Sequence, residues 1–355
     1  MATTTAETGR APGSDRLRRL SLTQRILARP AAGALIIVVF VWLVFAAISL
    51  ARGNLAFIAL SGTLNYLDVA AQVGIIGTAV ALLMIAGEFD LSVGSLVGFA
   101  GIVIGIGATI WGLPLWLSIL ISMVATTLLG VLNGVIVVRT GLPSFIVTLA
   151  TLFIISGFSA VLTSVVTNIT YIPIDRAVVA ADPIAGLFNW SFPVGGGAAF
   201  KVSILWWLLI AVIGTYILGR TRFGNWIAGA GGSATAARNL GVPVARVKIS
   251  LFALTAFSAS ILATIQSMTF FSADILRGRG IELDAITTAV IGGSLLTGGY
   301  GSVAGTALGA LSLGMARQGI VFADINADWY KIAIGTLLLV AVVLNNWIRR
   351  RFAGL

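Results

Sequence analysis

We identify ten apolar segments along this chain, most of them long enough to cross a lipid bilayer. A spanning helix needs about 20 mostly apolar residues, and only 10% of the chain is charged. Because lipid offers no hydrogen bonds, each segment must satisfy its backbone polar groups internally. The sequence therefore predicts an all-α polytopic membrane protein with about ten transmembrane helices. The predicted spans are Gly33–Ala51, Val69–Gly87, Leu91–Trp111, Pro114–Val138, Ser144–Val165, Ser203–Gly219, Ile249–Phe271, Ala285–Thr297, Val303–Phe322 and Lys331–Ile348.

The eighth segment is short, and a glycine-rich run, Gly298-Gly299-Tyr300-Gly301, follows it. This combination predicts a broken or re-entrant span, because free backbone groups at membrane depth must be covered by protein or by water. Glycines also recur four residues apart, in a pattern that lets helix backbones approach each other closely. We interpret them as helix-packing faces within one subunit. These glycines are Gly94, Gly98, Gly101, Gly105, Gly301, Gly305 and Gly309.

The distribution of charge predicts the orientation of the spans. With both termini in the cytoplasm, fifteen of the 22 lysines and arginines lie in cytoplasmic segments and eight of the 12 acids lie in outer segments. This arrangement follows the positive-inside rule. We expect a basic cytoplasmic tail (1–30), one transmembrane domain (31–348) with a long periplasmic segment (166–202) and a cytoplasmic segment (220–248), and a second cytoplasmic tail (349–355). The first apolar segment is interpreted as an uncleaved span, because it is long for a signal peptide.

The composition excludes several classes of function. Cysteine and histidine are both absent, which removes disulfides, thiolate nucleophiles, Cys/His metal sites and histidine acid–base catalysis. No phosphate loop of the form Gly-x-x-x-x-Gly-Lys-Ser/Thr occurs, so we do not expect the chain to hydrolyse ATP. The chain has a net charge of +10. Its lysines and arginines flank apolar runs and form no basic helix interleaved with aromatics, so nucleic acid is not an expected partner. The composition therefore favours a polytopic membrane protein without catalytic residues, metal or cofactor of its own.

Two acids, Glu88 and Asp90, interrupt the apolar sequence between the second and third spans. A carboxylate at the centre of a bilayer costs about 2.5–3.5 kcal/mol on insertion scales. In one interpretation both are turn acids solvated at the inner membrane edge, and Asp90 caps the helix that begins near Ser92. In the other they line the solute pathway or its inner gate. The pathway candidates are Glu88, Asp90, Ser92, Gly94 and Ser95.

Four blocks of sequence carry a more specific signal. Residues 231–248 read Gly-Gly-x-x-x-Ala-Ala-Arg-x-x-Gly-Val and then Arg-Val-Lys. The other blocks are Gly87–Ser95, Phe145–Thr151 and Gly280–Ala310. In their order along the chain and in their spacing, the four blocks resemble the permease subunits of bacterial ABC importers. The likeness is greatest to the ribose/xylose-type monosaccharide branch. The resemblance covers roughly residues 65–345.

The resemblance implies a pathway for a monosaccharide or related polyol between two permease copies, expected to be a homodimer in the inner membrane. It also implies separate ATPase subunits, which hold ATP and magnesium, and a periplasmic sugar-binding protein. A short helix over Ser233–Leu240, capped by Ser233 or Thr235, is expected to meet the ATPase. The coupling candidates are Gly231, Gly232, Ala236, Ala237, Arg238, Gly241 and Lys248. The candidates for docking the binding protein, expected in outer loops, are Asp175, Arg176, Arg277, Arg279, Glu282 and Asp284.

The chain departs from this family pattern in two places. It has Ser233-Ala234 where the family usually carries Asn-Glu, and Glu88-Phe89 where the family commonly has Gly-Ile. The first departure removes an acid that could face the ATPase, and the second adds a charge. An ion-gradient-driven secondary transporter is the alternative function, but it would need an ion pair or relay within the spans. Arg317, Glu88 and Asp90 are the candidates for such a relay.

Overall fold

The structure is a computed structural model that describes residues 30–195, 197–326 and 328–348. The predicted tails fall almost entirely outside the described residues. The helices and strands in chain order are α1 (Pro30–Ala51), α2 (Leu60–Ile85), α3 (Val93–Gly105), α4 (Leu115–Thr140), α5 (Ser144–Thr167), β1 (Tyr171–Pro173), α6 (Arg176–Ala181), α7 (Gly186–Asn189), β2 (Ser191–Gly195), β3 (Ala198–Lys201), α8 (Val202–Arg220), α9 (Arg222–Gly232), α10 (Ala234–Asn239), α11 (Val244–Phe270), β4 (Ser272–Asp274), α12 (Ile281–Ile291), α13 (Val303–Phe322) and α14 (Trp329–Ile348).

Within the described residues, eight helices are long and apolar enough to cross a membrane, namely α1–α5, α8, α11 and α14. Helix α3 reaches this length because it continues as a π-helix over Ile106–Ile110. Helix α13 has 20 residues, but Arg317 and Gln318 lower its mean hydropathy. Helix α12 has only 11 residues. The prediction of an all-α polytopic membrane protein is confirmed, whereas the count of ten spans stays a prediction.

Helix α2 forms the centre of the bundle. In its most apolar stretch, 89% of the residues are buried. In the corresponding stretch of α14 only 6% of the residues are buried. Helices α8, α11, α12 and α13 all pack against α2. Large apolar side chains on all sides of α2, such as Ile75, Ile76 and Leu83, are fully buried. This all-round apolar surface is what a helix surrounded by other helices requires.

The two ends of the bundle differ in structure and in charge. At one end β1 pairs with β4 and β2 pairs with β3, both antiparallel. We call this the strand end. The opposite end carries α9, α10 and the first turn of α11, with the arginines and lysines of the segment 220–248. We call this the basic end.

The predicted eighth span, Ala285–Thr297, has different bounds in the structure. Helix α12 begins four residues earlier and ends at Ile291, and a run of turns over 275–280 precedes it. Gly292 and Gly293 follow, and Gly293 has φ 89°, a conformation that favours glycine and ends the helix. The short helix with non-helical backbone on both sides agrees with the prediction of a broken span.

The glycine-rich faces pack in two different ways. In α13, a Cβ on Gly305 or Gly309 would meet the backbone of Gly292 or Thr288 in or beside α12, as predicted for helix packing. In α3, a Cβ on Gly98 would lie 2.9 Å from the carbonyl oxygen of Ile275. The face of α3 therefore packs largely against the non-helical segment before α12. Its Gly94 and Gly101 also meet the side chains of Glu282 in α12 and Ser267 in α11.

Candidate functional site

The turn between α2 and α3 holds Asp90 in a fully buried network of hydrogen bonds. Asp90 Oδ1 accepts from the backbone N–H of Ser92 (2.9 Å) and from Ser92 Oγ (2.6 Å), and Oδ2 accepts from Thr255 Oγ1 of α11 (2.6 Å). Burial raises the pKa of the Asp90 carboxyl above its ordinary value, and the hydrogen bonds from Ser92 and Thr255 oppose that shift. Asp90 therefore closes a turn with Ser92, the residue that precedes α3, and its role as a helix cap stays a prediction.

The same turn is bonded to α4 and α5. Asn133 Nδ2 of α4 donates to Ser92 Oγ (2.9 Å), and Thr151 Oγ1 of α5 donates to Asn133 Oδ1 (2.8 Å). The backbone N–H groups of Phe89 and Leu91 donate to Ser144 Oγ and Thr148 Oγ1, both in α5. Helices α4, α5 and α11 are thus joined through one short connection. Buried polar groups that are fully bonded in this way rigidify the packing around them.

Glu88, the acid that the family pattern does not supply, is also buried. Its carboxylate forms an ion pair with Lys248 in α11, and its side chain is 10% exposed. The pair lies beside a cavity of about 350 Å³ at the basic end, which Arg238 also lines. The prediction that water solvates both acids is wrong, because protein groups supply the partners of Glu88 and Asp90.

The remaining pathway candidates lie in the first turn of α3. Ser95 Oγ donates to the carbonyl oxygen of Ser92 (2.7 Å). A Cβ on Gly94 would lie 2.0 Å from Glu282 Oε2, so Glu282 packs directly over Gly94. The structure therefore brings one of the predicted docking residues to one of the predicted pathway residues.

The predicted coupling segment forms two short helices at the basic end. The prediction of a short helix capped by Ser233 is confirmed, since Ser233 Oγ accepts from the N–H of Ala236 (3.3 Å) in α10. Gly241 has φ 82° just after α10. Ala237 faces inward and is 4% exposed, whereas Ala236 and Arg238 are exposed and Leu240 is 85% exposed. Among the coupling candidates, Lys248 stands apart because it is paired with Glu88.

Three glycine-rich stretches of backbone meet where α9 ends. A Cβ on Gly231 would lie 1.9 Å from the carbonyl oxygen of Ile85 and 2.6 Å from the N atom of Gly299. The N–H of Gly299 donates to the same oxygen of Ile85 (2.8 Å). A Cβ on Gly298 would lie 2.7 Å from the Cα of Gly87. We call Gly87, Gly231, Gly298 and Gly299 the glycine junction. It joins the coupling segment by main-chain contact to the α2–α3 turn and to the α12–α13 connection.

Two of the docking candidates, Asp175 and Arg176, lie at the strand end. Asp175 and Arg176 are exposed. Asp175 Oδ1 accepts from the N–H of Ala177 (2.8 Å) and caps α6. The guanidinium of Arg176 lies 4.8 Å from the centre of the Phe271 ring, within the range of a cation–π contact.

The other four docking candidates do not form a solvated outer loop. Arg277 donates to the carbonyl oxygen and to Oγ of Ser272, the latter at 2.9 Å, and is half-buried. Arg279 is exposed, and Glu282 and Asp284 are half-buried in the first turn of α12. These residues extend from the strand end into the bundle. A role of these residues in docking a binding protein stays a prediction.

Sequence reasoning missed the partners of the buried charges. Lys201 Nζ lies 2.7 Å from Asp68 Oδ2, and Ser203 also donates to Asp68, which is 7% exposed within α2. Asn133 and Thr255 complete the network of the α2–α3 turn. A single acid or amide inside an apolar span signals a polar partner on a neighbouring helix, but the signal does not identify which helix.

The chain matches a known family over residues 62–342, described as "Branched-chain amino acid transport system / permease component". It is 34% identical to the inner membrane ABC transporter permease protein YjfF of Escherichia coli, over 79% of this chain and 82% of that protein. It is 31% identical to the fructose import permease protein FrcC of Rhizobium meliloti, over 90% of this chain and 86% of that protein. It is 30% identical to the ribose import permease protein RbsC of Haemophilus influenzae, over 83% of this chain and 88% of that protein. No solved structure matches the chain significantly.

These relatives are permease subunits, so the chain is a multi-pass inner membrane transporter component and not an enzyme. The family match covers α2 to α13 and most of α14, and it includes the α2–α3 turn, the coupling segment and the glycine junction. The chain belongs to the family of ABC importer permease components, in the branch that contains the ribose and xylose permeases.

Proposed function

We propose that this chain is the membrane-spanning permease of an ATP-driven importer for a monosaccharide or related polyol. Its similarity to permeases named for fructose, ribose and xylose supports this substrate class. Separate ATPase subunits supply ATP and magnesium, and a periplasmic binding protein delivers the solute. The chain itself carries no cofactor in this proposal.

The observation that carries the proposal is the geometry of α10. This helix is capped by Ser233 and lies between two candidate spans, α8 and α11. It presents Arg238 and Leu240 to solvent. Arginine is enriched at interfaces between proteins, so an exposed Arg238 on a short helix between two spans supports a contact with another protein. Through the glycine junction, movement of this surface reaches the α2–α3 turn and the α12–α13 connection.

The basic end is cytoplasmic in this proposal, with ten spans and both termini inside. Positive charge on the segment 220–248 supports that orientation. Helices α12 and α13 supply the two spans beyond the eight long apolar helices. The pathway forms between two copies of the chain, and the pathway candidates in the α2–α3 turn and α3 act at or near its inner gate.

Asp175 and Arg176 are proposed to contact the binding protein. Both are exposed at the strand end, which is periplasmic in this orientation. Opposite charges on two protein surfaces increase the rate and the specificity of docking. Arg277, Arg279, Glu282 and Asp284 were also predicted to contact the binding protein, but their position beside α3 favours a role inside the pathway for at least two of them.

Reconstitution tests the proposed function directly. The chain is placed in proteoliposomes with the ATPase subunit and the binding protein encoded alongside it, and uptake of labelled ribose, xylose and fructose is measured. We expect uptake that requires both ATP and the binding protein and that persists when an ionophore collapses ion gradients. Uptake by the permease alone, driven by an ion gradient, would support the secondary transporter and contradict the proposal.

A further inference from the structure

The chain between α11 and α12 passes down one face of α3. Ala273 lies against Gly105 near one end of α3, and Gly278 lies against Gly94 near the other. These two glycines are separated by about 16 Å along an α-helix, which rises about 1.5 Å per residue. Because α3 belongs to a candidate span, residues 273–278 descend well inside the depth of the bundle.

This descending segment is covered by the chain on one side only. Residues 275–280 form a run of turns and not a helix. Non-helical backbone at membrane depth occurs only where protein covers it or where it lines a water-filled cavity. The side chains of Leu276 and Leu283 are 59% and 61% exposed, and Arg279 between them is also exposed. The run of turns and the first turn of α12 therefore share an exposed face.

Arg279 at the end of this run of turns and Glu282 in the first turn of α12 place opposite charges beside the exposed face. Glu282 Oε1 accepts from the N–H of Gly280 (3.2 Å), and Oε2 lies over Gly94. In the described part of the chain, the two salt bridges are Lys201–Asp68 and Lys248–Glu88, so neither Glu282 nor Arg279 is neutralised by a direct ion pair. Charged side chains at membrane depth face a protein interior or water, and they mark the pathways of solutes.

We propose that Arg279 and Glu282 form a solute contact inside the translocation pathway. Hydroxyl groups of the passing solute donate hydrogen bonds to the Glu282 carboxylate and accept them from the Arg279 guanidinium. One cation and one anion supply donors and acceptors without a net charge, which suits a neutral polyhydroxylated solute better than an anion or a cation. This inference rests on the proposed function and names two residues of the pathway that meet the solute.

The first experiment tests the position of the segment without using sugar or ATP. The chain contains no cysteine, so single-cysteine variants can be labelled individually with a membrane-impermeant maleimide. A thiol reacts as the thiolate, which forms in water and not in hydrocarbon. We expect Arg279→Cys and Leu283→Cys in the reconstituted complex to be labelled. The control is Leu209→Cys in α8, which is 52% exposed on a candidate span and should remain unlabelled.

Absence of label at both 279 and 283 overturns the proposal, since lipid or another protein then covers the segment. Because Leu283 is exposed and makes no polar contact of its own, Leu283→Cys remains informative if Arg279→Cys assembles poorly. This experiment keeps its meaning if the wild-type protein imports no sugar. Failure of the proposed function and failure of the pathway contact are therefore distinguishable.

The second experiment separates a pathway contact from docking of the binding protein. Glu282→Gln and Arg279→Gln are each expected to lower ATP-dependent uptake by about tenfold at saturating binding protein, because each removes a hydrogen bond to a charged group. Stimulation of ATP hydrolysis by the binding protein should persist. The matched control is Asp324→Asn, on the exposed turn between α13 and α14. Recovery of full uptake by the two variants at higher binding-protein concentration, or uptake equal to wild type, overturns the proposal.

Discussion

The ε-amino group of Lys248 forms an ion pair with the carboxylate of Glu88, which lies 160 residues earlier in the chain. Lys248 lies in the first turns of α11, at the end of the coupling segment (220–248). Glu88 lies in the same turn as Asp90. The pair joins the coupling segment to the polar network of the α2–α3 turn. The extra acid at position 88 thus has a partner within the coupling segment.

Removing either member of this pair should destabilise the protein. We expect Glu88→Gln and Lys248→Met each to lower stability by about 1–3 kcal/mol, because the remaining charge loses its hydrogen-bonded partner. The double variant should lose less than the sum of the two, as measured by thermal unfolding in detergent. The control is Arg246→Met, an exposed residue of the same helix. Strictly additive losses would show that the two side chains do not interact.

A methyl group should not be tolerated at Gly231 of the glycine junction, but it should be tolerated at the neighbouring Gly232. Gly231→Ala places Cβ 1.9 Å from the carbonyl oxygen of Ile85, whereas a Cβ on Gly232 meets no atom within 4 Å. We expect Gly231→Ala to cost at least about 1–3 kcal/mol through overpacking and to reduce uptake. Gly232→Ala should behave as wild type. Both are measured by thermal unfolding and by uptake in the same reconstituted system, and equal behaviour would contradict the packing described here.

Asp90 should tolerate loss of its charge better than loss of its oxygen atoms. Burial raises the pKa of this carboxyl, so a neutral side chain of the same shape avoids the desolvation cost of the anion. We expect Asp90→Ala to lower stability by about 1–3 kcal/mol, since Ser92 and Thr255 lose an acceptor. Asp90→Asn should lose less, because its amide oxygen still accepts from Ser92.

Thermal unfolding of the two variants checks this order. Thr255→Val, which removes one of the donors to Asp90, should fall between them. A larger loss for Asp90→Asn than for Asp90→Ala would mean that the negative charge itself stabilises the turn.

Exposed residues of α10 and its end should matter for coupling and not for folding. We expect Arg238→Ala and Leu240→Ala each to change the stability of the permease by no more than about 0.5 kcal/mol, because both side chains are exposed. Each should weaken binding of the ATPase subunit by about tenfold or more, measured by co-purification and by ATP-dependent uptake. Thr235→Ala, an exposed change in the same helix, serves as the control. Normal uptake in both variants would count against this surface as the ATPase contact.

Much of the helical framework could be predicted from apolar run lengths alone. The predicted span Val303–Phe322 coincides with α13, and the prediction of a capped helix after Ser233 is confirmed by α10. Both rest on local signals, namely the length of an apolar run and a side chain that can bind a free backbone N–H. Such signals need no knowledge of what packs against the segment.

The errors arise where distant segments meet. The glycines of α3 indicate close approach of another backbone, but they do not reveal that the partner is the non-helical segment 272–280. Likewise, Glu88 and Asp90 appear solvated until Lys248 and Thr255 are brought to them by α11. Pairing across such separations depends on tertiary packing, which hydropathy and charge counting along the chain do not contain.

The glycine junction has a mechanical consequence. Contacts between side chains absorb small displacements because rotamers adjust, whereas Gly231, Ile85 and Gly299 touch through main-chain atoms with no rotamer between them. A shift of α9 is therefore passed directly to the end of α2 and to the α12–α13 connection. Glycines, which have no side chain, thus give the coupling segment a direct main-chain connection to the transmembrane helices.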